Sequence, residues 1–147
     1  MTEYNSKQGL VSKSREELYM AFTDLSRFRE MLPDDKKEMV SADYDHLSAT
    51  VQNFTIGVRA AERLPYERIA LANAEGTPFD FNVVLHFDDA GDPGKTCFSI
   101  SVEADLNLVM KAMLGGRIKE GLDKIVDGVV DVSEGRIPEG MPEGMHI

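Results

Sequence analysis

The sequence has a single cysteine, Cys97, no tryptophan and only three histidines. One cysteine excludes an intrachain disulfide framework and a multi-cysteine zinc site. His46, His86 and His146 lack the spacing of paired metal ligands, and Cys97 has no neighbouring histidine to activate it. Nucleophile-elbow, P-loop and dinucleotide-binding motifs are also missing. We therefore expect no metal, no cofactor and no motif-based catalysis.

Long apolar runs and an excess of positive charge are missing as well. No run approaches the roughly 20 apolar residues of a membrane span, and the first residues lack the blocks of a signal peptide. The 16 Lys and Arg against 26 Asp and Glu give a net charge of −10. Phosphate binding requires clustered basic residues. We therefore expect a cytoplasmic protein that binds neither nucleic acid nor anionic membranes.

The first third of the chain predicts one strand followed by two short helices. Residues 4–11 mix polar and apolar positions and favour a strand. Ser14 and Glu17 have the spacing of a capping box, and helical apolar spacing follows them. A second helix is predicted near residues 25–32, where Pro33 ends it.

Between residues 39 and 106 the apolar period changes from 3.6 to 2, which predicts strands. Of the two clearest predicted strands, the first places Phe81 and Val83 on one side. The second places Phe98 and its alternate neighbours on the same side. Residues 88–94 carry turn signals and predict a hairpin loop. Successive strands joined by short turns predict an antiparallel sheet with one buried and one wet face.

The stretch 106–132 predicts the long helix that covers the sheet. Its later apolar stripe consists of Ile118, Leu122, Ile125, Val126, Val129 and Val132. The earlier apolar residues of this helix point a third of a turn or more away from the later stripe. They are Leu108, Val109, Ala112 and Met113. Gly115 and Gly116 separate the two, and glycine disfavours a straight helix. We expect a kink or local unwinding there that turns both stripes towards one core. Gly121 and Gly128 indicate either close packing or space for a ligand.

The sequence after Val132 becomes polar and repetitive, with Pro-Glu-Gly-Met at 138–141 and again at 142–145. This repeat has no periodicity suited to a core. We therefore predict a single domain over 1–132 and a flexible tail over 133–147. Partner binding through the methionines of the tail is the less favoured alternative.

The order of the predicted elements resembles the helix-grip fold of the START-like, Bet v 1-like superfamily, the polyketide cyclase/dehydrase and lipid transport group. More closely, the chain is similar to small bacterial members of that group. The matching stretches are FTDL (22–25), ERLPYERI (62–69), VEADLN (102–107) and EGLDKI (120–125) within residues 1–132. Relatives often carry proline where this chain has Leu108, although Asn107 can still cap the helix.

The resemblance implies an α+β fold: a curved antiparallel sheet of about six to seven strands, with two short helices after the first strand. A long C-terminal helix packs across the sheet and encloses a cavity. Members range from lipid carriers to cyclases and co-chaperones, so the fold alone does not decide the function.

The leading hypothesis is that the cavity binds a small hydrophobic or amphipathic ligand. The predicted apolar lining is Val58, Phe81, Val83, Phe98, Met110, Met113, Leu114 and Ile118. The predicted polar contacts are Asn53, Asn73 and Arg117. The asparagines could instead lie at strand ends near solvent, and Arg117 could be a solvated surface residue.

Two other functions stay open at this point. A cyclase or dehydratase would need an acid or base inside the cavity, whereas the inward positions offer asparagine. A protein-interaction module would use the acidic surface or the tail.

Overall fold

The computed structural model describes residues 2–30, 34–51, 54–74, 76–77 and 79–135. Within these residues the chain forms eight strands and four helices. The first part contains β1 (Thr2–Asn5), β2 (Gly9–Val11), α1 (Arg15–Thr23), α2 (Ser26–Glu30) and α3 (Asp34–Lys37). The strands β3 (Val40–Ala42), β4 (His46–Val51), β5 (Phe54–Leu64), β6 (Arg68–Asn73), β7 (Phe81–Asp89) and β8 (Thr96–Ala104) follow, and α4 (Leu108–Ser133) comes last.

All strands belong to one antiparallel sheet in the order β1-β8-β7-β6-β5-β4-β3, and β2 also pairs with β8. This confirms the predicted α+β fold with an antiparallel sheet, early short helices and a long C-terminal helix. The strand count exceeds the prediction because the first predicted strand is split. Ser6 interrupts it: its backbone N–H donates to the carbonyl of Ile100 (2.8 Å), and its hydroxyl accepts from the N–H of Ile100 (2.8 Å).

The face of the sheet that carries the buried side chains is called the inner face below. Pairing places Ala60, Leu71, Val83, Val102 and Tyr4 in one row across it. Because side chains alternate along a strand, the polar neighbours of these residues lie on the outer face. His86 alternates with the buried Leu85 and Phe87 and also lies on the outer face, where its Nε2 is 3.0 Å from the hydroxyl of Ser101.

The packed core lies where α1 covers β6, β7 and β8. Ser14 caps α1 as predicted, since its hydroxyl accepts from the N–H of Glu17 at 3.2 Å. Phe22 stacks on Phe98, with ring centroids 5.5 Å apart and ring planes 4° from parallel. Phe87 stacks on Phe98 at 5.7 Å. This aromatic cluster fills one end of the inner face.

The short helices differ in part from the prediction. α2 begins after Asp24, whose carboxylate accepts from the N–H of Ser26 at 3.0 Å. Residues 31–33, the predicted end of the second helix and its proline stop, lie outside the described residues. The third short helix, α3, was not predicted because its sequence, DDKK, has no apolar periodicity.

The predicted local unwinding in the long helix does not occur, because α4 continues through Gly115 and Gly116 for 26 residues. The predicted kink stays a prediction. Asn107 caps it, with its side-chain oxygen accepting from the N–H of Met110 at 2.9 Å. A continuous helix keeps the two apolar stripes pointing in different directions. The earlier stripe therefore stays outside, with Leu108 84% and Val109 67% exposed.

Candidate functional site

The candidate site is the part of the inner face that α4 leaves uncovered. α4 makes its main contacts with β1, β2 and β8, all at one side of the sheet. Among the described residues it makes no contact of comparable extent with β4 or β5. We call the space between this part of the sheet and the near edge of α4 the groove.

The tight edge of α4 consists of Leu122, Val126 and Val130, which face β2. Val126 is fully buried and Leu122 is 8% exposed. Gly9 of β2 makes the close approach possible, because a Cβ added there would lie 2.5 Å from Val126 Cγ1 and 2.8 Å from Val130 Cγ2. Glycine is the only residue that this contact admits without movement.

Polar contacts reinforce the tight edge from the β1–β2 connection. The N–H of Lys7 donates to Asp123 Oδ1 at 2.6 Å, and the Lys7 ammonium pairs with Asp127. The Lys7 hydrogen bond, followed by the hydrogen bond from Lys119, lowers the pKa of Asp123. Near the start of the helix, a Cβ on Gly115 would lie 3.4 Å from the Tyr4 hydroxyl oxygen. These contacts fix the position of α4 against β1 and β2.

The open edge of α4 consists of Ile118, Ile125 and Val132 with the neighbouring Leu114 and Gly121. Residues seven apart drift by only about 20° on a helix, so Ile118, Ile125 and Val132 form one row. Ile118 packs against the core cluster, whereas Ile125, on the same row, is 50% exposed. A Cβ on Gly121 would meet no atom within 4 Å. Gly121 thus provides open space and not close packing.

The inner face of β4 and β5 also keeps apolar side chains partly uncovered. Pairing places Leu47 beside Val58 and Ala49 beside Ile56 on the inner face. Leu47 and Val58 are half-buried, and Ile56 is 42% exposed. Apolar side chains are therefore partly uncovered both on the open edge of α4 and on the inner face of β4 and β5.

Arg63 closes the groove at the end where α1 lies. A β-bulge between Ala60 and Glu62 turns the Arg63 side chain to the inner face, beside Ile69. Its Nη2 donates to the carbonyls of Thr23 and Tyr44, each at 2.8 Å, and its Nη1 lies 2.8 Å from Asp45 Oδ1. The guanidinium also stacks on the Tyr44 ring, 4.3 Å from its centroid. One side chain thus joins α1, β5 and the β3–β4 turn.

The opposite end of the groove has a polar mouth at the start of α4. A crevice of about 420 Å³ lies there between the β6–β7 and β8–α4 connections. Its lining includes Thr77, Phe79, Asp80, Asp105, Leu106 and Met110. The backbone N–H of Asp105 donates to the carbonyl of Asp80 at 2.8 Å, which holds the two connections together.

The structure separates the predicted apolar lining residues into three groups. Val58, Val83, Met110, Leu114 and Ile118 are half-buried on the inner face or on the side of α4 that faces it. Phe81 and Phe98 are 8% and 0% exposed and fill the core, so they offer little surface to a ligand. Met113 is 66% exposed and belongs to the outward stripe. A ligand role for any of these residues stays a prediction.

The predicted polar residues have different surroundings. Asn73 spans the β6–β7 turn: its Oδ1 accepts from the N–H of Phe81 (3.2 Å) and its Nδ2 donates to Asp80 (3.3 Å). Arg117 is exposed on the flank of α4 near Gly121, and it forms no ion pair within the described residues. Asn53 lies outside the described residues. Their roles as ligand contacts also stay predictions.

Sequence reasoning missed three groove residues: Leu47, Ile56 and Ile125. The signal for Ile125 was its heptad relation to Ile118, which places the two in one row. Leu47 and Ile56 stand in alternating strand patterns, but the sequence does not show which strands the long helix leaves uncovered.

Three described carboxylates have a lowered pKa, and none of them is among the residues assigned to the groove. The hydrogen bond from the Ser26 side chain is the main cause of the lowered pKa of Asp24. For Asp43, the main cause of the lowered pKa is the hydrogen bond from the N–H of Asp45. Both carboxylates, like Asp123, hold turns or the tight edge. No three His, Cys, Asp or Glu side chains cluster as a metal site in the described part of the chain. Nor does any helix there have the length and apolarity to span a membrane.

Solved structures match this architecture, whereas no family model and no curated protein matches the sequence. A Thermobifida fusca protein aligns over 100% of both chains with a TM-score of 0.70 at 13% identity. A START superfamily protein from Mycobacterium smegmatis aligns over 87% of this chain and 96% of its own, with a TM-score of 0.61 at 16% identity. The fold is START-like. The Aha1 dimer from Colwellia psychrerythraea shares this START-like fold, with a TM-score of 0.54 at 12% identity, over 84% of this chain and 97% of that chain.

Proposed function

We propose that the protein binds a small hydrophobic or amphipathic molecule in the groove. The observation that supports this most directly is the exposure of Ile125. It lies in the same row as Ile118, on the side of α4 that faces the sheet, and it is 50% exposed. Ile56 on the sheet is exposed to a similar extent, at 42%.

Two partly uncovered apolar surfaces that adjoin each other are unfavourable in water unless something covers them. Burial of apolar surface contributes roughly 25 cal/mol per Å². An apolar ligand would gain this free energy from both sides of the groove at once. Larger exposed apolar patches on soluble proteins commonly mark interaction sites.

The two ends of the groove suggest how a ligand would lie. Arg63 and the aromatic core close one end, so the apolar part of a ligand would point there. The mouth at the start of α4 carries Asp80 and Asp105 beside Phe79 and Met110. A polar head group would therefore lie at the mouth, near solvent.

Substitution of Gly121 tests the proposal. Gly121→Phe would place a ring in the open space beside Ile125 and should abolish binding, while the fold remains because no atom lies within 4 Å of the new Cβ. Gly121→Ala is the matched control and should bind like the original protein. Fatty acids, sterols and aromatic polyketides are the ligands to screen by thermal shift and native mass spectrometry.

A binding ligand should raise the midpoint of thermal unfolding by about 2 °C or more at saturation. The same ligand should have no effect on Gly121→Phe. A ligand that stabilises Gly121→Phe and the original protein equally would contradict binding in the groove. The absence of any shift and of any co-purified molecule would contradict the proposal as a whole.

A further inference from the structure

The outward side of the first turns of α4 carries an exposed apolar surface. We call this surface the outer patch, and it consists of Leu108, Val109, Ala112, Met113 and Gly116. Leu108 is 84% exposed, Val109 67% and Met113 66%. Leu114, on the opposite side of the same turns, is half-buried. Adjoining apolar side chains that stay exposed commonly mark an interaction site.

The outer patch has a low floor between longer side chains. Ala112 and Gly116 lie one turn apart, and a Cβ added to Gly116 would meet no atom within 4 Å. Val109 and Met113 follow the next row of the helix, and Leu108 precedes Ala112 by one turn. The distance between two packed helices depends on the side chains at their contact, so short side chains let a second helix approach closely. The shape of the outer patch therefore suits a helix.

The charge beside the outer patch is positive, although the chain as a whole has a net charge of −10. Residues 106–119 contain three basic residues and no acidic one. Lys111 and Arg117 each lie one turn after a member of the outer patch, so they border it on two sides. Both are exposed, and neither forms an ion pair within the described residues, whereas Lys119 pairs with Asp123 at 3.0 Å. Two cations beside the outer patch are therefore available to an acidic partner.

The charges favour one occupant over two others. A second copy packed patch to patch would bring two more cations and no acid, because residues 106–119 contain none. An anionic membrane would meet the same two cations, but the net charge of −10 opposes its approach to the domain. A helix of another protein contacts only the outer patch and its border, so acidic residues on that helix can pair with both cations.

We propose that the outer patch docks an acidic amphipathic helix of a partner protein. Aliphatic side chains of that helix would cover Val109 and Met113, and acidic residues on its flanks would pair with Lys111 and Arg117. The docking goes beyond the proposed function, because it uses the exposed side of α4 and not the open edge. It is therefore unaffected if the groove binds no ligand.

Two synthetic helical peptides are the probes. Both carry leucine at the a and d positions of their heptads, and one carries glutamate at the flanking e and g positions where the other carries lysine. Chemical-shift changes in the isotope-labelled full chain report binding. We expect the glutamate peptide to shift residues 108–117 and to bind about tenfold more tightly than the lysine peptide, because two exposed ion pairs replace two repulsive contacts.

Two variants of the outer patch and its border test the two kinds of contact. Val109→Ser/Met113→Ser removes the apolar contact and should weaken binding of the glutamate peptide about tenfold or more. Lys111→Glu/Arg117→Glu should reverse the preference, so that the lysine peptide binds more tightly. All four side chains are exposed, so both variants should keep the thermal midpoint of the original protein. Equal binding of the two peptides to the original protein, or an unchanged preference in the charge-reversed variant, would overturn the proposal.

Arg59→Glu/Lys95→Glu is the matched control for net charge. Both side chains are exposed and lie outside residues 106–119, so this variant should keep the preference for the glutamate peptide. Sedimentation of the full chain, alone and with equimolar phosphatidylcholine and phosphatidylglycerol vesicles, tests the other two occupants. A dimer or a vesicle complex that Val109→Ser/Met113→Ser abolishes would assign the outer patch to a second copy or to a lipid surface, and either result would overturn the proposal.

Discussion

The two edges of α4 carry similar aliphatic side chains but have different surroundings. Val126 on the tight edge is fully buried, whereas Ile125, the preceding residue, is 50% exposed. The glycines show the same contrast. A Cβ on Gly9 would overlap Val126, whereas a Cβ on Gly121 would meet nothing within 4 Å.

This contrast shows that the apolar stripe of α4 is wider than its packing requires. A surface helix needs an apolar stripe wide enough for the core that it covers. Here the contacts with β1 and β2 use only the tight edge, and the row of Ile118, Ile125 and Val132 extends beyond them. The surplus apolar surface adjoins the groove, which is why we propose a role for it in ligand binding.

The largest effect should come from truncation on the tight edge. Leu122→Ala removes a side chain that is 8% exposed, and such a change costs about 2–5 kcal/mol. Ile125→Ala removes a half-exposed side chain and should cost less than about 1 kcal/mol. Urea unfolding measures both free energies. Similar losses for the two variants would mean that the open edge is packed after all.

The closed end of the groove should be the next most sensitive region. Arg63→Lys loses the hydrogen bonds to Thr23 and Tyr44 that the planar guanidinium makes together, which should cost about 1.5–3 kcal/mol. Arg68→Lys is the control, because Arg68 makes one exposed ion pair with Glu62 and should lose under about 0.5 kcal/mol. Thermal unfolding of both variants, with unfolding enthalpies, gives the comparison. Equal stability of the two would refute the role of Arg63 in closing the groove.

Alanine at the two glycines should change stability in opposite directions. Gly9→Ala should destabilise the fold by about 1–3 kcal/mol, since stiff Val126 blocks the new Cβ. Gly121→Ala should stabilise it by up to about 1 kcal/mol, because alanine favours the helix and the space is open. Chemical unfolding of both proteins measures the sign. A destabilising Gly121→Ala would show that this side of α4 is occupied.

The smallest effect should be the pH dependence of the tight edge. The pKa of Asp123 is lowered by the hydrogen bond from Lys7, so its contribution is complete above its unfolded pKa, near 4. That contribution is lost as the pH falls through the lower folded pKa. Asp123→Asn should therefore differ from the original protein at pH 6 and approach it below pH 4.

Unfolding midpoints between pH 2.5 and 7 test this dependence. Asp88→Asn, on the outer face of β7, is a control for the change in net charge. A difference between Asp123→Asn and the original protein that stays constant over this range would contradict the pKa argument.

The strands and the C-terminal helix were predictable because their patterns are local. The alternation along β7 and β8 and the cap at Asn107 required no knowledge of neighbouring elements. The exposure of Ile125, in contrast, depends on the neighbouring elements. The helical pattern places Ile125 in the same stripe as Leu122, and only the position of α4 over β1 and β2 makes one buried and the other exposed. That position depends on Gly9, more than one hundred residues earlier in the chain.

The glycine pair illustrates the opposite error. Helix propensity favoured a kink or local unwinding at Gly115-Gly116. The helix nevertheless continues through both residues, and a Cβ on Gly115 would lie 3.4 Å from the Tyr4 hydroxyl oxygen. The sequence could not show whether Asn73 and Arg117 are available to contact a ligand. The pattern alone does not show which hydrogen bonds a polar side chain already makes.

The bulge in β5 acts on the strand as a one-letter insertion acts on a reading frame. Before it, Val58 and Ala60 face inwards at even positions; after it, Arg63 faces inwards at an odd one. Removal of Ala61 would delete the extra residue, and strict alternation from Ala60 would leave Glu62 facing outwards and Arg63 facing inwards. The Glu62–Arg68 pair and the Arg63 contacts would therefore be kept. A single-residue deletion at the bulge should be tolerated better than one elsewhere in this strand, which would reverse the faces of the residues on one side of it.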